Sequence, residues 1–367
     1  MSKISKTDIQ FLQQRLLDWF LKNRRALPWR KNYDPYQVWI SEIMLQQTQV
    51  KTMLPYFKRW MEVLPMIADV AGAEENKILK LWEGLGYYSR ARNIQKAARK
   101  IMNEYNGQFP ERYEEILALS GVGKYTACAI ASIAFNRDLP VVDGNVARVL
   151  SRFFFYTKNV RLPEAEKQMW QWVSEVLPKG RARDFNQALM EFGALQCTPS
   201  VMDCGSCPLQ SRCRAYKKGM VEKLPDRGSG KKLQNIKVAI AVIRKNGKVF
   251  IQKRPEKGLM AGLWEFPGGK VEKGESSLKA LCRELKEETG LTVRNVKKIK
   301  TIRHAYTSFK VNLDCFEADY DAGRVSLKAA SEGRWVEIAD LKKYPFPAAN
   351  VLLVSDLSRN IKTCRQF

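Results

Sequence analysis

The chain has 367 residues, enough for roughly two domains of ordinary size, each able to bury its own core. It carries 63 Lys and Arg against 38 Asp and Glu, a net charge of +25, yet 45% of its residues are hydrophobic and 10% aromatic, a globular composition and not that of a disordered basic tail. One histidine, His304, excludes zinc sites built on two histidines and most Ser-His-Asp arrangements, leaving acid–base chemistry to carboxylates, Tyr, Lys or Cys.

Apolar residues at 9, 11, 12, 16, 17, 19 and 20 predict an amphipathic helix over 9–21. Similar periods mark 38–45, 90–102, 112–118, 124–135, 145–155 and 164–177. The helical domain is expected to span 1–218, with a cysteine loop at 195–214. Polar, basic chain at 219–235, around Pro225-Asp226-Arg227-Gly228, reads as a linker. Past it the period changes to strands at 238–243 and 249–251, then a helix at 276–289 and strand-like chain at 298–318 and 334–337. The fold class predicted is therefore an all-helical domain followed by an α+β domain over 236–367. The charge is spread over both: residues 231–367 alone hold 28 Lys and Arg against 15 Asp and Glu. A positive field with interspersed aromatics suits a polyanion. The longest clean apolar runs, such as 127–135, fall short of the ~20 residues of a spanning helix, and no signal-peptide pattern opens the chain, so no membrane partner is expected.

Glu42 lies within the apolar helix at 38–45, where burial would keep its carboxyl protonated, as a general acid requires; an ion pair is the plainer alternative. Gly121-Val122-Gly123-Lys124 joins two helical stretches, as a plain tight turn or as one whose backbone N–H groups approach a phosphate. Asp143 precedes the next helix and by itself reads as an N-cap. Cys197, Cys204, Cys207 and Cys213, spaced C-x6-C-x2-C-x5-C, suit one metal site, and the spacing allows zinc and an iron–sulfur cluster equally. In the second domain Glu284, Glu287 and Glu288 share one helix face, either a Mg²⁺ site for pyrophosphate chemistry or a solvated acidic face.

In this order, Glu42 in its helix, Gly84-Leu85-Gly86-Tyr87-Tyr88, the glycine hairpin, Val142-Asp143-Gly144-Asn145 and the four cysteines resemble the helix-hairpin-helix DNA glycosylases, most closely adenine DNA glycosylases of the MutY type. The resemblance covers 8–215. It implies Glu42 as general acid and base, and Asp143 as the group that stabilises an oxocarbenium ion or traps the sugar covalently. Tyr125 stands where strand-cleaving relatives hold a Schiff-base Lys, which implies a monofunctional enzyme. Arg25, Trp29 and Gln187 would line an adenine pocket. Gln46, Gln47, Thr48, Tyr87 and Tyr88 would intrude into the duplex, with Gly121, Gly123, Lys124 and Asn145 as further DNA contacts. The cysteines would hold a [4Fe–4S] cluster. The implied partner is double-stranded DNA with adenine opposite 8-oxoguanine or G, bound by a monomer in a bacterial cytoplasm.

The segment from Gly269 to Leu291 is a complete Nudix box, and with Arg254 and Asn350 it resembles the MutT-type hydrolases, which implies an α/β/α domain. In adenine glycosylases such a domain reads 8-oxoguanine, here through Thr307 and Ser308. The intact box also allows a second activity, Mg²⁺-dependent hydrolysis of 8-oxo-dGTP. Ser308 stands where the family's lesion-reading loop has a His, and Ser120 where its hairpin has a Pro.

Overall fold

The computed structural model describes residues 4–229, 233–306 and 308–364, with side chains through 359. The chain divides into two compact units, Met1–Ala71 with Lys96–Gly230, and Gly72–Gln95 with Lys231–Phe367. Its first helices are α1 (Lys6–Asn23), α2 (Pro35–Leu45), α3 (Val50–Val63), α4 (Ile67–Gly72), α5 (Glu75–Trp82) and α6 (Ser89–Glu104). They are followed by α7 (Tyr113–Leu117), α8 (Lys124–Phe135), α9 (Gly144–Phe154), α10 (Pro163–Val176), α11 (Ala182–Leu195) and α12 (Arg214–Lys217).

In the first unit, local chemistry sets the helix starts. The Ser5 hydroxyl accepts from Asp8 N to open α1, and Asp34 caps Gln37 N with Pro35 at the first helical position of α2. Helix α8 is buried all round over 126–134, the mark of a central helix. Beside it Val149, Leu150 and Phe153 of α9 meet Leu12, Leu16 and Phe20 of α1 and Phe185, Leu189 and Phe192 of α11. Each such side chain contributes about 1.5–3 kcal/mol by burial. Helices α3, α5 and α11, with the short α4 and α12, lack a counterpart among the sequence periods. Pro55 interrupts α3, α5 is short, and Asn186, Gln187 and Glu191 break the apolar face of α11. Part of the expected linker is held on this unit, because Val160 N donates to Asp226 O at 2.9 Å.

The second unit is built on a sheet of β1 (Gln234–Lys245), β2 (Lys248–Lys253), β3 (Trp264–Glu265), β4 (Gly268–Lys270), β5 (Thr292–Ala305), β6 (Phe309–Ala322) and β7 (Glu332–Glu337), with α13 (Ser277–Thr289) and α14 (Ala348–Cys364). The strand order is β3-β2-β1-β6-β5, with β4 paired to β1 and β7 to β2; β1 and β6 run parallel. Alternate residues of β1 feed two cores. Ile240 and Val242 join Leu353 and Val354 of α14, while Ala239, Ala241 and Ile243 join Leu281 and Leu285 of α13. The expected α/β/α layering is present. The chain at 298–318 is an antiparallel β5–β6 hairpin, longer on both sides than its apolar pattern, which Lys and Arg interrupt along β5. Helix α5 and the start of α6 belong to this unit: Glu83 Oε1 accepts from Phe346 N at 2.8 Å and Lys80 Nζ donates to Tyr344 O at 3.0 Å. Among the described residues no helix is long and apolar enough to cross a membrane.

The close approach of α9 and α11 yields a stability test. A Cβ at Gly193 would lie 2.7 Å from Asn145 Cβ and 2.9 Å from the Asn145 carbonyl oxygen, whereas one at Gly144 would meet nothing within 4 Å. Gly193→Ala is expected to destabilise the protein by about 1–3 kcal/mol in denaturant unfolding, and Gly144→Ala by less than about 0.5 kcal/mol.

Candidate active site

Helix α2 buries Tyr36 and every residue from Val38 to Met44, so Glu42 enters the interior on an otherwise apolar segment and is 5% exposed. Its Oε2 accepts from the Tyr125 hydroxyl at 3.2 Å. Burial outweighs that bond and pushes the carboxyl up to about 7, with the nearby charge of Asp143 acting in the same direction. Glu42 therefore holds a proton near neutrality. Burial, and the charges of Glu42 and Asp143, push the Tyr125 hydroxyl well above its usual range, so it stays a donor.

Asp143 does cap α9, and it also faces the site. Its Oδ1 accepts from Val146 N at 2.7 Å and its Oδ2 from Asn145 Nδ2 at 2.8 Å, leaving lone pairs on both oxygens. Burial raises its pKa above the usual aspartate value although those bonds oppose it. Asn145 is held in turn, because its Oδ1 accepts from Arg148 at 2.8 Å. The same guanidinium donates to Cys197 O at 2.8 Å and to Gly193 O at 2.6 Å. An unbroken run of hydrogen bonds thus joins the first cysteine to the Asp143 carboxylate.

Glu42, Tyr125 and Asp143 line one cavity of about 510 Å³, which Arg25, Trp29 and Gln187 also line. Trp29 is buried edge-on to Phe57 at 5.1 Å. Gln187 is 2% exposed, with Oε1 taking a bond from Arg30 Nε at 2.8 Å and Nε2 donating to Arg183 O. Sequence reading missed the residue that organises this wall, Glu191. Its carboxylate pairs with Arg25 at 2.7 Å and Arg30 at 3.1 Å. Burial would raise its pKa, but the two guanidinium groups override that and hold it down at about 2. The available signal was an acid among the apolar residues of 188–195.

The expected duplex-contacting residues fall in different settings. Gln47 is exposed with φ +58°, while Gln46 turns inward, Nε2 donating to Thr126 Oγ1 at 3.2 Å. Thr48 lies beside them and lines the cavity. Gly121 (φ +78°) and Gly123 bracket the exposed hairpin, and Lys124 places its ammonium 4.0 Å from the centre of the Trp170 ring. Tyr87 is 42% exposed with φ +48°. Tyr88 corrects the expectation. It is 5% exposed, and its hydroxyl donates to Phe346 O at 3.2 Å, so it is a packing residue of the second unit and not an intruding one.

Cys197, Cys204, Cys207 and Cys213 are all free thiols, and Cys197, Cys207 and Cys213 rest against the helical core. Burial and the neighbouring thiols push Cys204, Cys207 and Cys213 up, Cys207 to about 12. Arg152, 2% exposed, donates to Cys197 Sγ at 3.2 Å and to Thr198 O at 2.7 Å, and its backbone oxygen accepts from Cys213 Sγ. Among the described residues no three His, Cys, Asp or Glu side chains are arranged around a single ion.

In the second unit Arg254, Glu265, Glu284, Glu288, Tyr306 and Asn350 line a cavity of about 570 Å³. Arg254 pairs with Glu265 at 2.6 Å, and Asn350 Oδ1 accepts from Phe266 N at 3.4 Å. Burial and the charges of Glu284 and Glu265 push Glu288 up. Glu287 does not join them: it is exposed and pairs with Arg283 at 3.3 Å, and the same guanidinium binds Glu275 and Glu284. Ser308 is exposed, and Thr307 lies outside the described residues. His304 stands on β5, its ring 4.5 Å from that of Tyr306.

Over residues 40–175 the chain matches the HhH-GPD superfamily of base excision DNA repair proteins, and over 238–356 the NUDIX domain. It is 35% identical over 383 residues to the adenine DNA glycosylase of Mus musculus, an alignment covering 90% of this chain and 74% of that one. With the adenine DNA glycosylase of Buchnera aphidicola subsp. Baizongia pistaciae it shares 39% identity over 256 residues, covering 69% and 72%. A solved thermostable thymine-DNA glycosylase superposes with a TM-score of 0.53 at 30% identity, covering 58% of this chain and 98% of the other. Alignment through both units and along most of each curated relative's length makes this chain a member of the adenine DNA glycosylase family, DNA glycosylases of base excision repair.

Proposed function

We propose that the protein releases adenine paired with 8-oxoguanine or G, without cutting the strand, through Glu42 and Asp143. The observation that carries this reading is the convergence of a proton-holding Glu42, Tyr125 and Asp143 on one cavity of about 510 Å³. Adenine is a poor leaving group until it is protonated. Glu42 supplies that proton from an environment that keeps it at neutral pH. Asp143, fixed by the α9 backbone and Asn145, meets the positive charge that develops on the deoxyribose, either by electrostatic stabilisation or by a bond to the anomeric carbon. Glu42, then ionised, takes the proton of the attacking water. A nucleotide must leave the base stack to reach this cavity. Arg25, Trp29 and Gln187 are proposed to receive the base, and Gln47 and Tyr87 to occupy the gap left behind. Tyr125 has no amine, so the imine that leads to strand cleavage does not form.

Cys197, Cys204, Cys207 and Cys213 are proposed to hold a [4Fe–4S] cluster. Four free thiols gathered on one loop, with Arg152 donating to a sulfur, suit that group. When bound, the cluster supplies structural order, and Arg148 carries that order to Asn145. The second unit is proposed to read the partner base, with Asn350 and Tyr306 in its cavity and Ser308 exposed. Of the three box carboxylates only Glu284 and Glu288 line the cavity, while Glu287 pairs with Arg283 outside it, which favours base reading over Mg²⁺-dependent hydrolysis.

Four outcomes test this reading. Asp143→Asn, which keeps a residue able to cap α9, should retain binding to A:8-oxoguanine duplex while single-turnover adenine release falls at least about 10³-fold. Wild-type release should hold below a pH of about 7 and fall about tenfold per pH unit above it, as the raised carboxyl of Glu42 loses its proton. Tyr125→Phe removes a bond that favours the ionised form, so the descending limb should move to higher pH. Metal analysis of the purified protein should find about four irons per chain and no zinc; one zinc per chain would contradict the cluster.

A further inference from the structure

Asp143 and Tyr125 line more than the active-site cavity. A second cleft, of about 590 Å³, lies against the same two side chains and opens past Lys124, Arg161 and Arg227. Apart from Asp143, Glu166 is the one acid lining it among the described residues. The proposed reaction makes no use of this space.

Its three cations come from separate segments. Lys124 starts α8, Arg161 precedes α10, and Arg227 lies in the chain that sequence reading takes for a linker. That chain is clasped in place. Val221 O and Leu224 O accept from the buried Arg152 guanidinium at 3.0 Å and 2.9 Å. Val160 N donates to Asp226 O at 2.9 Å, and Gly228 N to Asp226 Oδ1 at 2.8 Å. Gly228 is left-handed at φ +59°, and a Cβ there would lie 2.5 Å from Asn159 Nδ2. Asn159 in turn accepts from Arg161 N at 2.9 Å. One turn and one clasp thus bring two guanidinium groups to a cleft that shares a wall with the reacting carboxylate.

A ligand here must be anionic and continuous with whatever sits on Asp143. A phosphodiester attached to the reacting deoxyribose meets both requirements. Only a nucleotide rotated out about its backbone brings its sugar to Asp143, and with it the adjoining phosphate to this cleft. We propose that the cleft is a phosphodiester subsite in which Arg161 and Arg227, as positioning residues, grip the backbone beside the extruded nucleotide. This rests on the assignment of Asp143 to the reacting sugar.

The test uses the full chain and two duplexes, one with a tetrahydrofuran abasic analogue opposite 8-oxoguanine and one undamaged, with Kd measured over a salt series. Arg161→Ala and Arg227→Ala should each weaken the analogue duplex by about tenfold, lower its salt slope by about one, and weaken the undamaged duplex by less than about threefold. Gly228→Ala keeps every charge but breaks the clasp, so it should reproduce the loss on the analogue duplex. Thermal unfolding confirms that each variant is folded. Equal losses on both duplexes would reduce the cleft to a general basic surface and overturn the proposal, as would unchanged binding by the two arginine variants or by Gly228→Ala. Adenine release by Asp143→Asn separates the two readings. Retained release would overturn the active-site assignment and the subsite with it; lost release with unchanged binding by the arginine variants would overturn the subsite alone.

Discussion

A carboxyl group buried on a mostly apolar helix is the constraint on which this site depends. In water Glu42 would be ionised at neutral pH and useless as an acid. Helix α2 removes the water, because its residues from Val38 to Met44 are all buried, and burial is the largest influence on the Glu42 proton. An arginine free beside it would undo the effect by stabilising the anion. Arg25 and Arg30 stand on the same wall, yet both are committed to Glu191, whose carboxylate is held ionised at about 2. Of the three carboxyls that line the cavity, Glu42 is tuned to keep its proton and Glu191 to lose it, set apart by their partners.

Helix α9 is the second organising element. Its N-cap is Asp143, and one face carries Arg148 and Arg152, one helical turn apart and both buried. Arg148 reaches back to Asn145 and out to Cys197 O, while Arg152 takes Cys197 Sγ, Thr198 O and the carbonyls of Val221 and Leu224. Two arginines this deeply buried would be costly without hydrogen-bond partners, and backbone carbonyls, the Asn145 amide and the Cys197 sulfur supply them. Displacement of the cysteine loop is consequently transmitted to the amide that orients Asp143. The chain past the cysteines, with Arg227, is tied to the same helix.

The ordered motifs made the family and both folds legible from sequence, and singled out the Glu42 and Asp143 that meet at one cavity, since each motif is local and chemically specific. What escaped was set by tertiary pairing. Glu191 interrupts the apolar period of α11, and nothing local announces that two arginines more than 150 residues away need it. Tyr87 and Tyr88 are neighbours of the same type, and only packing against Phe346 shows that one is buried and the other presented. Pro, Gly and charge at 224–229 gave the composition of a free linker, whereas the backbone bond between Val160 and Asp226 holds that segment on the helical unit. The Nudix box was read as three carboxylates on one face, but Arg283 draws Glu287 away from the cavity that Glu284 and Glu288 line.

The central claim is that burial lets Glu42 keep its proton up to a pH of about 7. Infrared difference titration of the protein, with Glu42→Gln as the reference, tests it directly. The account predicts a protonated-carboxyl band that persists up to a pH of about 7, disappears above it, and is missing from Glu42→Gln. A Glu42 band lost near the ordinary glutamate value of about 4.3 would contradict it.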